Sequence, residues 1–223
     1  EIIATNETST MGALTSSDGV TVYTTTDWRT LTTLPTLTRS YDTSHINAQI
    51  LSFGDDCLYL AENERISSIS NTTHLYRYDF TTQEWAYKGS LGGILNGFAC
   101  GVINGDEILI VRYENTVKSS TDKGVTWNTM TNSPNNYRPI KFIGGKFLTT
   151  AGHTAIYYTT NATGWTASAS LSGYHIIDYC YDEEKYVAIL SNAKIATSPD
   201  LSTSWTIITP TGVAIASTAG ESK

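Results

Sequence analysis

The chain has 223 residues, of which 40% are hydrophobic and 16% are charged, and its formal net charge is −7. Its 14 basic residues are dispersed along an acidic chain, which argues against the basic groove of a nucleic-acid-binding protein. No apolar run approaches the ~20 residues that span a membrane, so membrane insertion is not expected. Threonine and serine make up roughly a quarter of the residues and no stretch keeps a helical period, so we expect one all-β domain over residues 1–223.

Short strand-like runs, separated by turns rich in Gly, Asp and Asn, follow one another along the chain. The first group contains an Asp18-Gly19 hairpin signal, and the middle hairpin of the second is stretched by residues 62–71. In the third group we predict a strand over 125–130. An apolar run at 213–217 is expected to pair with the first group. The approximate boundaries of the five groups are 1–34 with 213–217, 47–90, 98–131, 139–169 and 174–209.

Five tryptophans mark a comparable point in each group, because each follows a strand-like run that ends in Asp or Asn. They are Trp28, Trp85, Trp127, Trp165 and Trp205. Their spacing of 38 to 57 residues is typical of four-stranded propeller blades. The segments before the first and after the last tryptophan together make one further period. This predicts a five-bladed β-propeller closed by pairing of its N- and C-terminal strands, with either residues 2–5 or residues 213–217 supplying the closing strand.

The clearest copy of the repeat contains Ser120, Asp122, Gly124 and Trp127. An Asp in such a turn can accept hydrogen bonds from backbone N–H groups, a Gly can take a positive φ, and the Trp supplies a large ring to bury. The weaker copies contain Asn161 and Trp165 in the fourth group, and Ser198, Asp200 and Trp205 in the fifth.

The pattern Ser-x-Asp-x-Gly-x-Thr-Trp at 120–127 resembles the Asp box of BNR-type propellers, the repeat of sialidases and of many secreted and viral propellers. Residues 78–85 are more similar to a kelch blade. The resemblance extends over the whole chain by its period and implies a propeller. It implies a structural hairpin turn on the outer rim rather than an activity.

Three cysteines, Cys57, Cys100 and Cys180, each lie inside an apolar run, and their odd number and wide spacing predict buried free thiols. Asp178 is the only acidic residue in the middle of a predicted first strand, and we expect a buried hydrogen-bonding carboxylate there. No pattern indicates a catalytic constellation, a metal site or a cofactor, so a non-enzyme is expected.

In a propeller, the connections between blades and the middle hairpins of the blades share one face, opposite the Asp-box turns. Aromatic, amide and imidazole side chains that stack on and hydrogen-bond to sugars are concentrated at those positions. The candidate ligand-binding residues are Tyr41, His45, Arg65, Tyr113, Glu114, Asn136, Tyr137, Arg138, His153, Tyr174 and His175. Because Asn and Tyr are also ordinary turn and strand-end residues, a face without any ligand remains an open alternative.

The leading hypothesis is a non-catalytic, carbohydrate-binding propeller that recognises cell-surface glycans, similar to propeller domains of phage tail receptor-binding proteins and to small propeller lectins. Such a protein would be extracellular or carried on a virion, as a homo-oligomer or within a parent protein; the N-terminus lacks a signal-peptide pattern. The alternative is a structural or assembly module of a larger phage or surface protein. A third hypothesis, a glycosidase or sialidase relative, requires carboxylates or arginines clustered at the axis.

Overall fold

The structure is a computed structural model. It describes residues 3–5, 12–15, 21–25, 29–37, 39, 46–53, 57–65, 71–113, 116–134, 139–151 and 154–211. In these ranges the regular elements are β-strands and one short 3₁₀ turn, Ser191–Ala193. No helix among them is long and apolar enough to cross a membrane. The expectation of an all-β chain is confirmed.

The strands of this part of the chain form five antiparallel sheets, each of four strands in chain order. Sheet 1 contains β1 (Ile3–Thr5), β2 (Gly12–Thr15), β3 (Val22–Thr25) and β4 (Thr32–Thr33). Sheet 2 contains β5 (Ile46–Phe53), β6 (Cys57–Arg65), β7 (Asn71–Asp79) and β8 (Glu84–Gly92). Sheet 3 contains β9 (Leu95–Ile103), β10 (Asp106–Tyr113), β11 (Thr116–Ser120) and β12 (Asn128–Thr129). Sheet 4 contains β13 (Lys141–Ile143), β14 (Lys146–Ala151), β15 (Ala155–Thr159) and β16 (Thr166–Ala167). Sheet 5 contains β17 (Ile176–Tyr181), β18 (Tyr186–Leu190), β19 (Lys194–Ser198) and β20 (Thr206–Ile208).

Consecutive sheets pack face to face, and the hydrophobic core lies between them. The first strands β1, β5, β9 and β13 contact one another in that order. Val22 of sheet 1 clusters with Leu58 of sheet 2, and Tyr59, on the other face of sheet 2, clusters with Leu109 of sheet 3. Equivalent clusters join sheets 3 and 4 and sheets 4 and 5. Alternation along each strand therefore gives two apolar faces to the inner sheets, one for each neighbour.

In the stretched hairpin of sheet 2, residues 62–65 continue strand β6 and residue 71 begins strand β7, while residues 66–70 lie outside the described residues. The antiparallel pairing of β6 and β7 continues to Arg65 and Asn71. Asn63 is buried there: its Oδ1 accepts hydrogen bonds from the Thr73 hydroxyl at 2.5 Å and from the Leu95 N–H at 3.1 Å. This buried amide accepts hydrogen bonds from a side chain of β7 and from the backbone of β9, which stabilises the extended part of the hairpin.

The turn after β11 is held by two side chains. The Ser120 hydroxyl accepts the N–H of Gly124 at 2.8 Å, and the Asp122 carboxylate accepts the N–H groups of Val125 and Thr126 at 3.1 and 2.8 Å. Hydrogen bonds from the hydroxyl and N–H of Thr126, the Ser120 hydroxyl and the Val125 N–H lower the pKa of Asp122 to about 2. They also keep residues 125 and 126 in the turn, so the strand predicted over 125–130 shortens to Asn128–Thr129.

The weaker copies of the repeat form turns of the same kind. Thr159 and Ser198 occupy the place of Ser120, and their hydroxyls accept the N–H groups of Ala162 and Leu201 at 3.2 and 3.0 Å. Asn161 and Asp200 replace Asp122 and accept the N–H groups of residues 163 and 202. The third residue after each hydroxyl residue has a positive φ, 61° at Lys123, 57° at Ala162 and 71° at Leu201. The three turns therefore share the same kinds of hydrogen bond, although the sequence pattern is incomplete in two of them.

Replacing Gly124 with Ala is expected to lower the free energy of unfolding by about 1–3 kcal/mol. Gly124 has φ +87°, and a β-carbon there would lie 2.8 Å from Cδ2 of Leu75, a buried residue of sheet 2. Chemical denaturation of the two proteins measures the loss. Gly105→Ala is the matched control, because that glycine has a similar φ of +89° but open space around it. An equal loss in both variants would show that contact with Leu75 has no part in the effect.

Two side-chain predictions for the first strand of sheet 5 are wrong. Tyr179 faces sheet 4, so the neighbouring positions Asp178 and Cys180 face the opposite way and are exposed. Asp178 pairs with Lys141 Nζ at 2.7 Å on the surface instead of forming a buried centre. Cys57 and Cys100 are buried free thiols as predicted, and Cys180 is free but exposed.

Candidate functional site

A groove of about 560 Å³ lies between sheets 2 and 3 and contains one of the predicted ligand residues. Residues 90–94, the end of β8 and the start of the connection to β9, form one wall. Tyr113, Thr116, Lys118 and Trp127 of sheet 3 form the other. We call it the Tyr113 groove. Its volume falls in the range of small-ligand sites, roughly 300–1,000 Å³.

The backbone wall of the Tyr113 groove depends on glycine. Gly93 has φ +95°, and its N–H donates to the Asn71 carbonyl at 2.9 Å, which ties the connection to the lengthened hairpin of sheet 2. A β-carbon at Gly93 would lie 3.8 Å from Cδ1 of Tyr113. The absent side chain therefore leaves the Tyr113 ring facing backbone across the groove.

Two half-buried aromatic rings, Tyr113 and Trp127, line the opposite wall. Both pack on the core shared by sheets 2 and 3, and the indole Nε1 of Trp127 donates to the Gly124 carbonyl at 3.1 Å. Burial raises the pKa of Tyr113 to about 12, so its phenol is a neutral hydrogen-bond donor at physiological pH. The two rings are thus fixed in place with part of each accessible to a ligand.

Two polar side chains of β11 complete this wall, because successive side chains of a strand point to opposite faces of the sheet. Val117 is buried towards sheet 4, so Thr116 and Lys118 project on the side of the groove. Lys118 Nζ lies 5.5 Å from the centroid of the Tyr113 ring. The described lining thus provides aromatic, hydroxyl and ammonium groups.

A smaller groove of about 280 Å³ occupies the corresponding position between sheets 1 and 2. Its walls are Pro35–Leu37, which follow sheet 1, and the side chains of Tyr76, Trp85 and Tyr87 in sheet 2. Trp85 Nε1 donates to the Pro35 carbonyl at 2.9 Å and so joins the two sheets. Trp205 makes the same kind of bond to the Ala169 carbonyl between sheets 4 and 5. Trp85 and Trp205 therefore each join two neighbouring sheets.

The predicted ligand-binding residues that the structure describes do not lie together in one site. Arg65 is exposed at the end of β6, and Tyr113 lies at the end of β10 in the groove. Tyr174 and His175 precede sheet 5, where the Tyr174 hydroxyl accepts a hydrogen bond from Lys194 Nζ at 3.2 Å. The remaining candidates lie outside the described residues: Tyr41, His45, Glu114, Asn136, Tyr137, Arg138 and His153. So do Trp28 and the proposed closing strand 213–217.

Sequence reasoning missed Lys118, Thr116 and the wall at 90–94, and it assigned Trp127 to structure alone. The alternation of polar Thr116 and Lys118 with apolar Val117 is a sequence signal that could have indicated both residues. Among the described residues, no group of three or more His, Cys, Asp or Glu side chains could hold a metal ion.

No protein-family model matches the chain, and no curated protein matches it. Similar solved structures were found at low identity. The computationally designed Ika8 protein is 13% identical with a TM-score of 0.56, over 92% of this chain and 59% of that one, so this chain spans less than two thirds of its length. YCF48 bound to D1 peptide is 12% identical (TM-score 0.46; 92% of this chain, 80% of that one). YCF48 from Cyanidioschyzon merolae is 14% identical (TM-score 0.45; 93% and 84%).

The four-stranded antiparallel sheets that follow one another along the chain, together with the likeness to the designed propeller, define the fold as a β-propeller. At this identity the likeness concerns the fold alone.

Proposed function

We propose that this chain is a non-catalytic β-propeller with five blades that binds saccharides, and that the Tyr113 groove is its binding site. The five described sheets support the number of blades, and the turns around Asp122, Asn161 and Asp200 support assignment of the repeat to the Asp-box type. Recognition of surface glycans by a phage tail or secreted protein is the biological setting that fits such a module.

The observation that carries the proposal is the presence of two accessible aromatic rings beside hydrogen-bonding groups in one groove. Sugar rings present apolar C–H faces that stack on aromatic rings, and their hydroxyls need donors and acceptors around the edge. Tyr113 and Trp127 supply the rings, while Thr116, Ser90 and the backbone of residues 92–94 supply polar groups. Shallow sites of this kind reach useful avidity when several act together, and the smaller groove between sheets 1 and 2 offers a second place for one.

Tyr113→Ala is expected to lower the affinity for the bound glycan at least about fivefold, since aromatic contacts contribute about 1 kcal/mol or more. Tyr113→Phe keeps the ring and should stay within a few-fold of wild type. Screening on a glycan array, followed by calorimetric titration with the best ligand, measures both. Tyr181→Ala is the control, because that half-buried tyrosine lies in sheet 5, away from the groove.

Binding that both Tyr113→Ala and Tyr181→Ala leave intact would place the site elsewhere. An array without any specific signal would favour the second candidate function, an assembly module. That candidate is supported by Ile189, Ile195 and Ile208, which lie side by side in register on one face of sheet 5. Ile189 and Ile208 are 47% and 46% exposed. Concentration-dependent association in analytical ultracentrifugation would accompany this outcome.

A further inference from the structure

Lys118 is the single charged side chain among the residues that line the Tyr113 groove in the described part of the chain. It is half-buried, and its Nζ is held 5.5 Å from the centroid of the Tyr113 ring, so the ammonium stays at the groove wall. A cation over an aromatic face is attracted by the ring quadrupole. The charge is thus located beside the surface on which a sugar would stack.

The charge of Lys118 is not balanced by any described carboxylate. Among the other described lysines, Lys141 pairs with Asp178 and Lys185 pairs with Asp182, whereas two more donate to tyrosine hydroxyls. A half-buried ammonium that has no anion among the described residues loses part of its hydration and gains no ion pair from them in return. A ligand anion that reached Lys118 Nζ would supply that partner through a charge-assisted hydrogen bond.

Comparison of the sheets shows that the fold does not need a lysine at this position. Lys118 pairs with Thr129, which is the second residue after Trp127. The corresponding pairs in sheets 2, 4 and 5 are Tyr76 with Tyr87, Tyr157 with Ala167 and Ala196 with Ile207. None of these carries a charge. The ammonium is therefore specific to this groove.

We propose that the Tyr113 groove selects saccharides that carry a carboxylate, such as a uronic acid, with Lys118 binding the carboxylate while the aromatic rings bind the sugar face. This inference rests on the proposed saccharide-binding function and adds the charge of the ligand to it. The net charge of −7 disfavours the approach of anionic glycans, and the ammonium of Lys118 would offset that repulsion locally.

The test uses an array of paired oligosaccharides, in which each carboxylate-bearing member is printed beside its carboxyl-reduced counterpart. Wild type should prefer the acidic member of a pair at least about tenfold, the effect of a charged hydrogen bond. Lys118→Gln should remove that preference and leave the binding of reduced members within a few-fold, whereas Lys118→Arg should keep it. Lys194→Gln is the matched control, because Lys194 also lies over a tyrosine, Tyr174, at 5.1 Å but in sheet 5.

Equal binding of acidic and reduced members, unchanged by Lys118→Gln, would overturn the carboxylate inference and leave the saccharide proposal standing. If Lys194→Gln and Lys118→Gln each remove the preference for acidic members, the carboxylate inference would also be overturned, because the preference would then come from general surface charge. Absence of binding to every member would refute the saccharide proposal together with this inference.

Discussion

Arg77→Met is expected to lower the free energy of unfolding at pH 7 by about 3–5 kcal/mol, the usual cost of removing one partner from a buried ion pair. Arg77 Nε and Nη2 donate to the two carboxylate oxygens of Glu107 at 3.2 and 3.1 Å, and Nη1 donates to Asp79 at 2.6 Å. The Tyr59 hydroxyl also donates to Glu107. The side chains of Arg77 and Glu107 are 7% and 11% exposed. Without the guanidinium, the Glu107 carboxylate stays buried between sheets 2 and 3 with too few partners.

Denaturant unfolding of wild type and variant measures this loss, and Lys141→Met provides the comparison. Lys141 and Asp178 also form an ion pair between neighbouring sheets, but their side chains are 42% and 60% exposed. Exposed pairs contribute about 0–1 kcal/mol because water and salt screen them. Similar losses from the two substitutions would mean that burial of the Arg77 pair has no energetic consequence.

The effect of Arg77→Met should also depend on pH. Burial alone would raise the pKa of Glu107, but the hydrogen bonds from Arg77 and Tyr59 outweigh burial and keep that pKa below its ordinary value. The bond from Arg77, with backbone N–H groups of residues 81 and 82, lowers the pKa of Asp79 to about 2. Both folded-state values are depressed, so the stabilisation is present above about pH 4, the ordinary carboxyl pKa, and is lost as pH falls towards 2. The stability difference between wild type and variant should therefore shrink on acidification.

The parts of the fold that could be predicted from sequence are those specified by neighbouring residues. Ser120, Asp122 and Gly124 form their turn from hydrogen bonds within five residues, so a single stretch of sequence contains the information. The same holds for Asp200, which accepts the N–H groups of residues 202 and 203. The spacing of such turns then indicates the repeat and the all-β class.

The candidate site could be predicted only in part, because its two walls come from different sheets. The sequence indicates Tyr113 from its place at the middle hairpin of the third group. The opposite wall at 90–94 is positioned by the bond from Gly93 to Asn71, which depends on the length of the β6–β7 hairpin. Whether the side chains of Asp178 and Cys180 are buried likewise depends on which side of β17 packs on sheet 4. The register of β17 shifts between Ile176 and Asp178, so its side chains do not alternate regularly between the two faces. Contacts between residues so far apart in the chain leave no pattern in the local sequence from which they could be predicted.

Gly101→Val is expected to lower the free energy of unfolding by about 3 kcal/mol, because it inserts a side chain where two sheets are already in contact. Gly101 lies in β9, and a β-carbon there would overlap the ring of Phe142 in β13. That ring cannot move away freely, since it also packs on Phe147, with 4.7 Å between the ring centroids. Gly92→Val is the control, because Gly92 is also a strand glycine but has nothing within 4 Å of the added carbon. A β-branched residue in that strand should leave stability nearly unchanged.

The cause of the Gly101→Val effect can be isolated with the double variant Gly101→Val/Phe142→Ala. Phe142→Ala alone removes packing between sheets 3 and 4 and should destabilise the protein by itself. If overlap with the ring causes the destabilisation by Gly101→Val, the double variant will lose less free energy of unfolding than the sum of the two single variants. The difference should be about 1 kcal/mol or more. Simple additivity would mean that Gly101 is required for the strand backbone instead. In that case, contact between the Phe142 ring and Gly101 would not be the reason that β9 and β13 lie so close together.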